Sequence, residues 1–169
     1  MPTIQTPTPD QWELFREVRL NALRDTPNAF GSTLERERTH LEADWKNRLE
    51  RTESKTFIAV SDDAKPVGLI VGAPYGEDAG LFAMWVDASE RRKGIGGILV
   101  DAVIQWAKEI GYARILLDVA DENAAAIALY QHKGFIETGV KGTLPAPRDH
   151  IKEHQRAFTI QSPGEATPP

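Results

Sequence analysis

A glycine-rich segment between a strand and a helix constrains this chain more than any other feature. The apolar run Leu81 to Val86 predicts a strand, and an amphipathic run that begins at Ile98 predicts a helix. Between them stands the segment Arg91-Arg92-Lys93-Gly94-Ile95-Gly96-Gly97. Glycine lets the backbone approach a ligand closely, and a helix N-terminus presents unpaired N–H groups and a positive dipole end to an anion. The pattern therefore predicts a pyrophosphate site with three cations beside it.

The order of the glycines excludes two common nucleotide sites. A dinucleotide fingerprint needs G-x-G-x-x-G with an acidic residue about 20 positions further on, whereas the order here is R-x-x-G-x-G and no third glycine falls in register. A Walker A loop needs Gly-Lys followed by Ser or Thr, which this segment lacks. Taken alone, the segment is also compatible with a solvent-exposed loop ahead of a helix.

A second pattern lies downstream, where Asn123-Ala124-Ala125-Ala126-Ile127-Ala128-Leu129-Tyr130 is followed by Gly134-Phe135. Asn123 comes after the strand-like run Ile115 to Val119, at the end of a strand where ligand crevices form. Asparagine is also a preferred helix N-cap. Tyr130 comes two helical turns later on the same face, and Gly134 is expected to end the helix.

The two patterns together resemble the signatures of the GNAT family of N-acetyltransferases, R-x-x-G-x-G between strand and helix and N-x-x-A-x-x-L-Y with Gly-Phe after it. The resemblance is clearest over about residues 66–140. It implies acetyl-CoA as co-substrate, with the coenzyme pyrophosphate held by the amides from Arg92 to Gly97. It also implies a mixed sheet that splays at its centre, where the coenzyme enters.

The resemblance implies further coenzyme contacts. The strand around Met84 to Val86 would pair with the pantetheine arm, and one amide near Val86 would polarise the acetyl carbonyl; an ordinary strand with an intact ladder is the alternative. Asn123 would hold the pantetheine arm or orient the helix that follows. The expected coenzyme-binding residues are Met84, Trp85, Val86, Arg91, Arg92, Lys93, Gly94, Ile95, Gly96, Gly97, Asn123 and Ala126.

Acetyl transfer needs a neutral amine, a donor for the oxyanion and a proton for the departing thiolate. By the resemblance, Tyr130 protonates the coenzyme sulfur; the alternative is a tyrosine whose ring packs while its hydroxyl meets water. Asp118 stands where some family members that act on protein N-termini place a glutamate base, and the shorter Asp would act through a water molecule. A solvent-facing or salt-bridged Asp118 is equally compatible with the sequence.

Two segments are expected to shape the acceptor site. By the resemblance, they are roughly Phe30 to Trp45, after the first helix, and Lys141 to Glu153, between the last two strands. Phe30 and Trp45 are candidates for an apolar wall of the acceptor pocket, and burial in the core is the alternative for each.

The order of the predicted elements indicates an α+β (mixed α/β) fold. We expect a GNAT-like, mixed and mostly antiparallel sheet of about six to seven strands, flanked by about four helices. Residues 1–161 are expected to form a single domain and residues 162–169 a disordered tail. The predicted helices cover about residues 10–24, 32–51 (one helix or a broken pair), 96–111 and 123–134; the predicted strands centre on residue 4 and cover 56–61, 66–72, 80–86, 115–119, 135–140 and 157–160.

Composition narrows the function classes. The net charge of −5 over 169 residues argues against a nucleic-acid partner, which requires clustered Lys and Arg. The chain has no cysteine, and its four histidines do not form a metal pattern, so no metal is expected. No apolar run is long enough to cross a membrane, and we expect a cytoplasmic monomer or homodimer.

The sequence therefore predicts an enzyme, an N-acetyltransferase that moves an acetyl group from acetyl-CoA to a primary amine of a small molecule, peptide or protein. The amine would attack the thioester directly in a ternary complex. The alternative is a non-catalytic acyl-CoA-binding sensor or partner module on the same fold.

Overall fold

The computed structural model describes residues 1–160, which contribute to one open seven-stranded sheet. Residue 161 and the expected tail, 162–169, lie outside the described residues. The strands lie in the order β1-β2-β3-β4-β5-β7-β6, and every neighbouring pair is antiparallel except β4–β5. The strands are β1 (Thr3–Gln5), β2 (Lys55–Val60), β3 (Pro66–Tyr75), β4 (Asp78–Val86), β5 (Arg114–Ala120), β6 (Ile136–Thr143) and β7 (Lys152–Thr159).

Five α-helices flank the sheet in the described chain: α1 (Trp12–Asp25), α2 (Leu34–Glu37), α3 (Glu42–Glu50), α4 (Ile95–Ile110) and α5 (Ala124–Lys133). The expected fold class, α+β with a mixed, mostly antiparallel sheet, is confirmed. Of the two options for residues 32–51, the broken pair is correct. Thr33 caps α2 by accepting a hydrogen bond from the Arg36 amide at 3.3 Å, and α2 ends after a single turn.

The last strand is longer than the sequence indicated. β7 begins at Lys152 rather than near Ala157, and it pairs with β5 on one side and β6 on the other. Its first half is polar because Glu153 lines a cavity and Gln155 enters a hydrogen-bond network, so the apolar alternation that marks a buried strand is missing. The connection between β6 and β7 is therefore confined to residues 144–151.

The sheet separates two apolar cores. On one face, α4 and α5 pack through Leu99, Val103 and Tyr130 against Ile115 and Leu117 of β5. On the other face, α1 and α3 pack on β2 and β3; this core includes Phe15, Val18, Leu23, Trp45, Ile58 and Leu69. The even-numbered residues of β5 face the second side, and Asp118 is exposed there between buried Leu116 and Ala120.

The centre of the sheet opens into a wedge. β4 and β5 pair only at Ala79–Ile115 and Gly80–Leu116, so from Leu81 onward β4 has no ladder with β5. On its other side, β4 carries a bulge, because two of its residues stand opposite the single residue between Leu69 and Val71. Ala83 lies in this bulge with φ +58, a conformation unusual for a residue with a side chain. The splay that the resemblance implies is thus present, and a bulge accompanies it.

A buried ion network joins the three N-terminal helices. Glu37 accepts two hydrogen bonds from Arg19, at 2.9 and 2.8 Å, and one from Arg48 at 2.8 Å. Burial by itself would raise the pKa of Glu37, but the hydrogen bonds and positive charge of Arg19, with the hydrogen bond of Arg48, outweigh it and lower the pKa to about 2. The network fixes α1, α2 and α3 as one unit beside the wedge.

No helix among residues 1–160 combines the length and the apolar character needed to cross a membrane.

Glu37→Gln should lower the free energy of unfolding by about 3 kcal/mol at neutral pH, because Arg19 and Arg48 would lose their buried anion. In the wild type this stabilisation is complete above pH 4.5, the ordinary pKa of the unfolded carboxyl, and is lost as the pH falls toward the folded value of about 2. Urea unfolding of both proteins between pH 7 and pH 3 should therefore show the difference shrinking below pH 4.5. A difference that does not depend on pH, or one equally large for the exposed control Glu42→Gln, would contradict this role.

Candidate active site

The wedge contains a cavity of about 270 Å³ that three parts of the fold line together. One wall is the unpaired stretch of β4, a second is the end of β5 with the start of α5, and a third is the segment after α1 with the β6–β7 connection. Its lining residues include Phe30, Leu81, Phe82, Ala83, Met84, Asp118, Asn123, Ala126, Tyr130, Leu144 and Glu153.

The side chains of β4 divide between the two faces. Met84 and Val86 lie toward α4, where a Cβ added to Gly96 would be 2.9 Å from the Met84 Cε. Trp85 lies in the opposite core, 4 % exposed, and its indole N–H donates to the Asp25 carboxylate at 2.9 Å. Any contact of Trp85 with a ligand in the wedge is therefore made by its backbone.

The glycine-rich segment forms the expected turn ahead of α4. Gly94 is the N-cap and has φ +85, which a residue with a Cβ rarely adopts. The first amide bonded within this helix is that of Ile98, which donates to the Gly94 carbonyl at 3.2 Å. The amides of Ile95, Gly96 and Gly97 therefore have no intrahelical acceptor and are available to an anion.

The three basic side chains of this segment differ in the contacts that they make. Arg91 donates from Nε to the Val86 carbonyl at 2.9 Å and from Nη2 to Asp25, so it ties the turn to the end of β4 and to α1. Lys93 bonds Glu90 at 3.2 Å. Arg92 is exposed with φ +64. Arg91 thus has a bracing role that the sequence did not suggest.

The start of α5 brings its two motif residues to the cavity. Asn123 caps the helix by accepting a hydrogen bond from the Ala126 amide at 3.3 Å. Tyr130 follows on the same face, 5 % exposed, with its ring 5.7 Å from that of Phe135. Burial raises the pKa of the Tyr130 phenol above its ordinary value, so the hydroxyl stays protonated near neutral pH and can serve as a proton donor.

A hydrogen-bond chain runs across the sheet to Asp118. Thr138 donates to the Gln155 side-chain oxygen at 2.8 Å, Gln155 donates to the Tyr75 hydroxyl at 3.0 Å, and Tyr75 donates to the Asp118 carboxylate at 2.9 Å. Desolvation raises the pKa of Tyr75, and the negative charge of Asp118 adds to that effect. The chain fixes the orientation of the Asp118 carboxylate.

Sequence reasoning did not identify Glu153 as a site residue in its own right. Glu153 lines the same cavity as Asp118, and burial, followed by the charge of Asp118, raises its pKa. It belonged to the polar segment expected between the last strands, and only the register of β7 with β5 reveals that it faces the wedge. Arg19 and Tyr75 were missed for the same reason, because their roles depend on contacts between distant segments.

The two aromatic residues expected to form an apolar wall of the acceptor pocket lie in different places. Phe30 lines the cavity, with the Arg19 guanidinium carbon 4.8 Å from its ring centroid. Trp45 does not line the cavity; it is fully buried and packs edge-on against Phe15. Of the two alternatives for Trp45, the structure has burial in the core, so it forms no wall of the cavity.

Arg148 links the segment after α1 to the β6–β7 connection, and both of these segments line the cavity. From the β6–β7 connection it donates to the Pro27 carbonyl at 2.7 Å and to the Gly31 carbonyl at 3.0 Å. Leu144 and Ile151 of the same connection pack on Ala120 of β5. These contacts hold one rim of the cavity in place.

Among residues 1–160, no group of three or more His, Cys, Asp or Glu side chains is arranged to hold a metal ion.

The family model of the acetyltransferase (GNAT) family matches residues 16–135, which include both sequence motifs and every wall of the cavity except the β6–β7 side. The chain belongs to the GNAT acetyltransferase family.

Three similar proteins illustrate the range of the family. N-acetyltransferase 8 of Homo sapiens is 35% identical over 100 residues, which cover 56% of this chain and 44% of the relative. The [ribosomal protein bS18]-alanine N-acetyltransferase of Escherichia coli K12 is 38% identical over 65 residues, covering 38% of this chain and 44% of the relative. The matches thus span less than half the length of these curated relatives. The yncA acetyltransferase of Salmonella typhimurium, solved with its cofactor acetyl-CoA, shares the fold with a TM-score of 0.78 at 16% identity, covering 100% of this chain and 98% of the other.

Gly94→Ala should lower the free energy of unfolding by about 1–2 kcal/mol, because an L-residue is strained at φ +85. Gly142→Ala is the matched control, since a Cβ has open space at both positions and only Gly94 has positive φ. Urea unfolding measures both. Equal effects of the two substitutions would show that the turn does not impose this conformation.

Arg148→Gln should loosen the rim of the cavity, because the guanidinium that joins the Pro27 and Gly31 carbonyls would be lost. Amide hydrogen exchange should become faster in residues 27–32 and 144–151 and stay unchanged in α4. Arg38→Gln, at an exposed arginine just after α2, is the control. Unchanged exchange in both segments would rule out the bracing role of Arg148.

Proposed function

We propose that this chain is an N-acetyltransferase that transfers an acetyl group from acetyl-CoA to a primary amine within a ternary complex. One observation carries the proposal: the wedge between β4 and β5 contains a buried, protonated tyrosine, and the turn with free amides at the start of α4 lies beside Met84 of the same wedge. In acetyl-CoA the pyrophosphate and the thioester lie at opposite ends of the pantetheine arm, and the turn and the tyrosine offer a suitable group to each.

The coenzyme would lie along the unpaired edge of β4. The amides at the start of α4, with Arg92 and Lys93 beside them, suit the pyrophosphate. The pantetheine arm contains amide groups, and the peptide groups of β4 that lack a partner on β5 can pair with them as a strand would. Met84 and Asn123 border this path, and the bulge at Ala83 turns the backbone toward the position of the thioester.

The proposed reaction has two stages. The neutral amine nitrogen attacks the thioester carbon, and the negative charge that develops on the carbonyl oxygen is stabilised by a backbone amide of β4 near Val86. When the carbon–sulfur bond breaks, Tyr130 donates its proton to the departing thiolate. No covalent acyl-enzyme is needed, which agrees with the absence of cysteine from the whole sequence.

Asp118 is the proposed base for the amine. Its carboxylate lines the cavity and is oriented by Tyr75. Because an aspartate side chain is short, we propose that the proton passes from the amine to Asp118 through a bridging water molecule. The acceptor is a primary amine of a small molecule, peptide or protein; the relative from Escherichia coli is named for the alanine of a ribosomal protein.

Tyr130→Phe should reduce kcat by about 10²-fold, the lower range for loss of a general acid, while the Kd for acetyl-CoA stays unchanged. The phenyl ring preserves the packing on Phe135, so the free energy of unfolding should change little. Steady-state kinetics with an amine panel and calorimetry with acetyl-CoA measure the two quantities. Tyr112→Phe, at a tyrosine that packs on Trp106 outside the cavity, is the control.

Wild-type kcat retained in Tyr130→Phe would refute the role of the phenol. Binding of acetyl-CoA by the wild type without turnover on any amine would refute the enzyme and favour a non-catalytic acyl-CoA sensor.

A further inference from the structure

The acceptor end of the cavity contains two carboxylates that no cation neutralises. Asp118 and Glu153 both line it, and among residues 1–160 neither has a basic side chain within 4.0 Å. Of the basic residues in the described part of the chain, Arg19 alone lines the cavity, and its guanidinium is held by Glu37 through two hydrogen bonds. The acidic charge of this site is therefore open to a ligand.

The strand register places the two carboxylates on one face of the sheet. Asp118 stands opposite Gln155, and Glu153 stands opposite Ala120, two residues further along β5. Cross-strand partners point to the same side, and diagonal neighbours of this kind lie about 7 Å apart at the backbone. Both carboxylates thus face the side of α1 and the β6–β7 connection.

A second observation indicates that this part of the cavity is built for a ligand. Tyr130 lines the same cavity at 5 % exposure, and its hydroxyl has no hydrogen-bond partner among the described residues. The hydroxyl oxygen itself is open to the cavity, since it is not among the buried polar atoms that lack a partner, so a ligand that enters can form a hydrogen bond with it. The two carboxylates and the hydroxyl therefore have unsatisfied capacity toward a common space.

An apolar wall adjoins the carboxylates. The rings of Tyr75 and Phe82 stack with centroids 6.1 Å apart and an interplanar angle of 17°. Phe82 lines the cavity and is 39% exposed. A short methylene chain could lie against this wall while charged groups at its ends meet the carboxylates.

We propose that Glu153 is the residue that determines acceptor specificity, and that with Asp118 it selects a short diamine. This inference rests on the proposed function. One amino group lies at Asp118 and reacts, while the second is bound as an ammonium ion by Glu153. The raised pKa of Glu153 agrees with this arrangement, because the carboxyl is partly buried beside Asp118 without a cation, and a bound ammonium ion would reverse that effect.

The protons of the reaction balance in this arrangement. The reacting ammonium group gives one proton to Asp118 through water, and the neutral nitrogen then forms its bond to the acetyl carbon. As the carbon–sulfur bond breaks, Tyr130 protonates the thiolate, and the nitrogen loses its second proton, which restores the phenol through solvent. Asp118 releases its proton to bulk water, and the ammonium at Glu153 keeps all of its protons.

The test compares 1,4-diaminobutane with 1-aminobutane as acceptors, since the two differ only in the second amino group. With the wild type, kcat/KM should be at least about tenfold higher for the diamine. Glu153→Gln should remove this preference, mainly by raising KM for the diamine, so that the ratio of kcat/KM for the diamine to that for the monoamine falls to about one. Glu153→Asp keeps the charge and should retain part of the preference. Glu109→Gln, on the exposed face of α4, should behave as the wild type.

Two results would overturn the inference in distinguishable ways. Turnover of amines without preference for the diamine, or a preference that survives in Glu153→Gln, would refute the role of Glu153 and leave the proposed acetyltransferase intact. Binding of acetyl-CoA without turnover of either amine or of any other acceptor would refute both together.

Discussion

The separation of β4 from β5 is the constraint on which the rest of the site depends. The two strands pair at only two positions, and the unpaired stretch of β4 contains the bulge at Ala83. Splaying a sheet leaves peptide groups unpaired at its centre, which is unfavourable unless a ligand pairs with them. The apolar cores on both faces hold the strands in this arrangement, because α4 packs across one face and α1 across the other.

In the proposed complex, each substrate has its own side of the wedge. The turn at the start of α4, which is proposed to bind the pyrophosphate, lies on the face that α4 and α5 cover, and the acidic residues Asp118 and Glu153 face α1 and the β6–β7 connection. Tyr130 reaches the cavity between them. In the proposed ternary complex, an anionic coenzyme and a cationic amine therefore approach from opposite faces, and the complementary charges keep each substrate out of the other's site.

Local chemistry made the turn ahead of α4 and the start of α5 predictable, whereas the opposite rim of the cavity depends on tertiary contacts. Gly94 at positive φ, the helix it caps and Asn123 at the next N-cap are short-range features, and their sequence spacing indicated each of them. The position of Glu153 follows from the register of β7, and the engagement of Arg19 and Arg148 follows from partners 18 to about 120 residues away. Trp45, at the end of the expected acceptor segment, is buried in the core. Its spacing along a helix could not show whether the ring faces the core or the acceptor pocket.

Amide hydrogen exchange with and without acetyl-CoA tests the central claim most directly, because it reports which backbone groups the ligand covers. We expect acetyl-CoA to slow exchange in peptides that contain residues 81–86 of β4 and 92–98 of the turn, and we expect no such change with ATP at the same concentration. Protection confined to other regions, such as the outer face of α1, or equal protection by ATP, would contradict a coenzyme A site in the wedge.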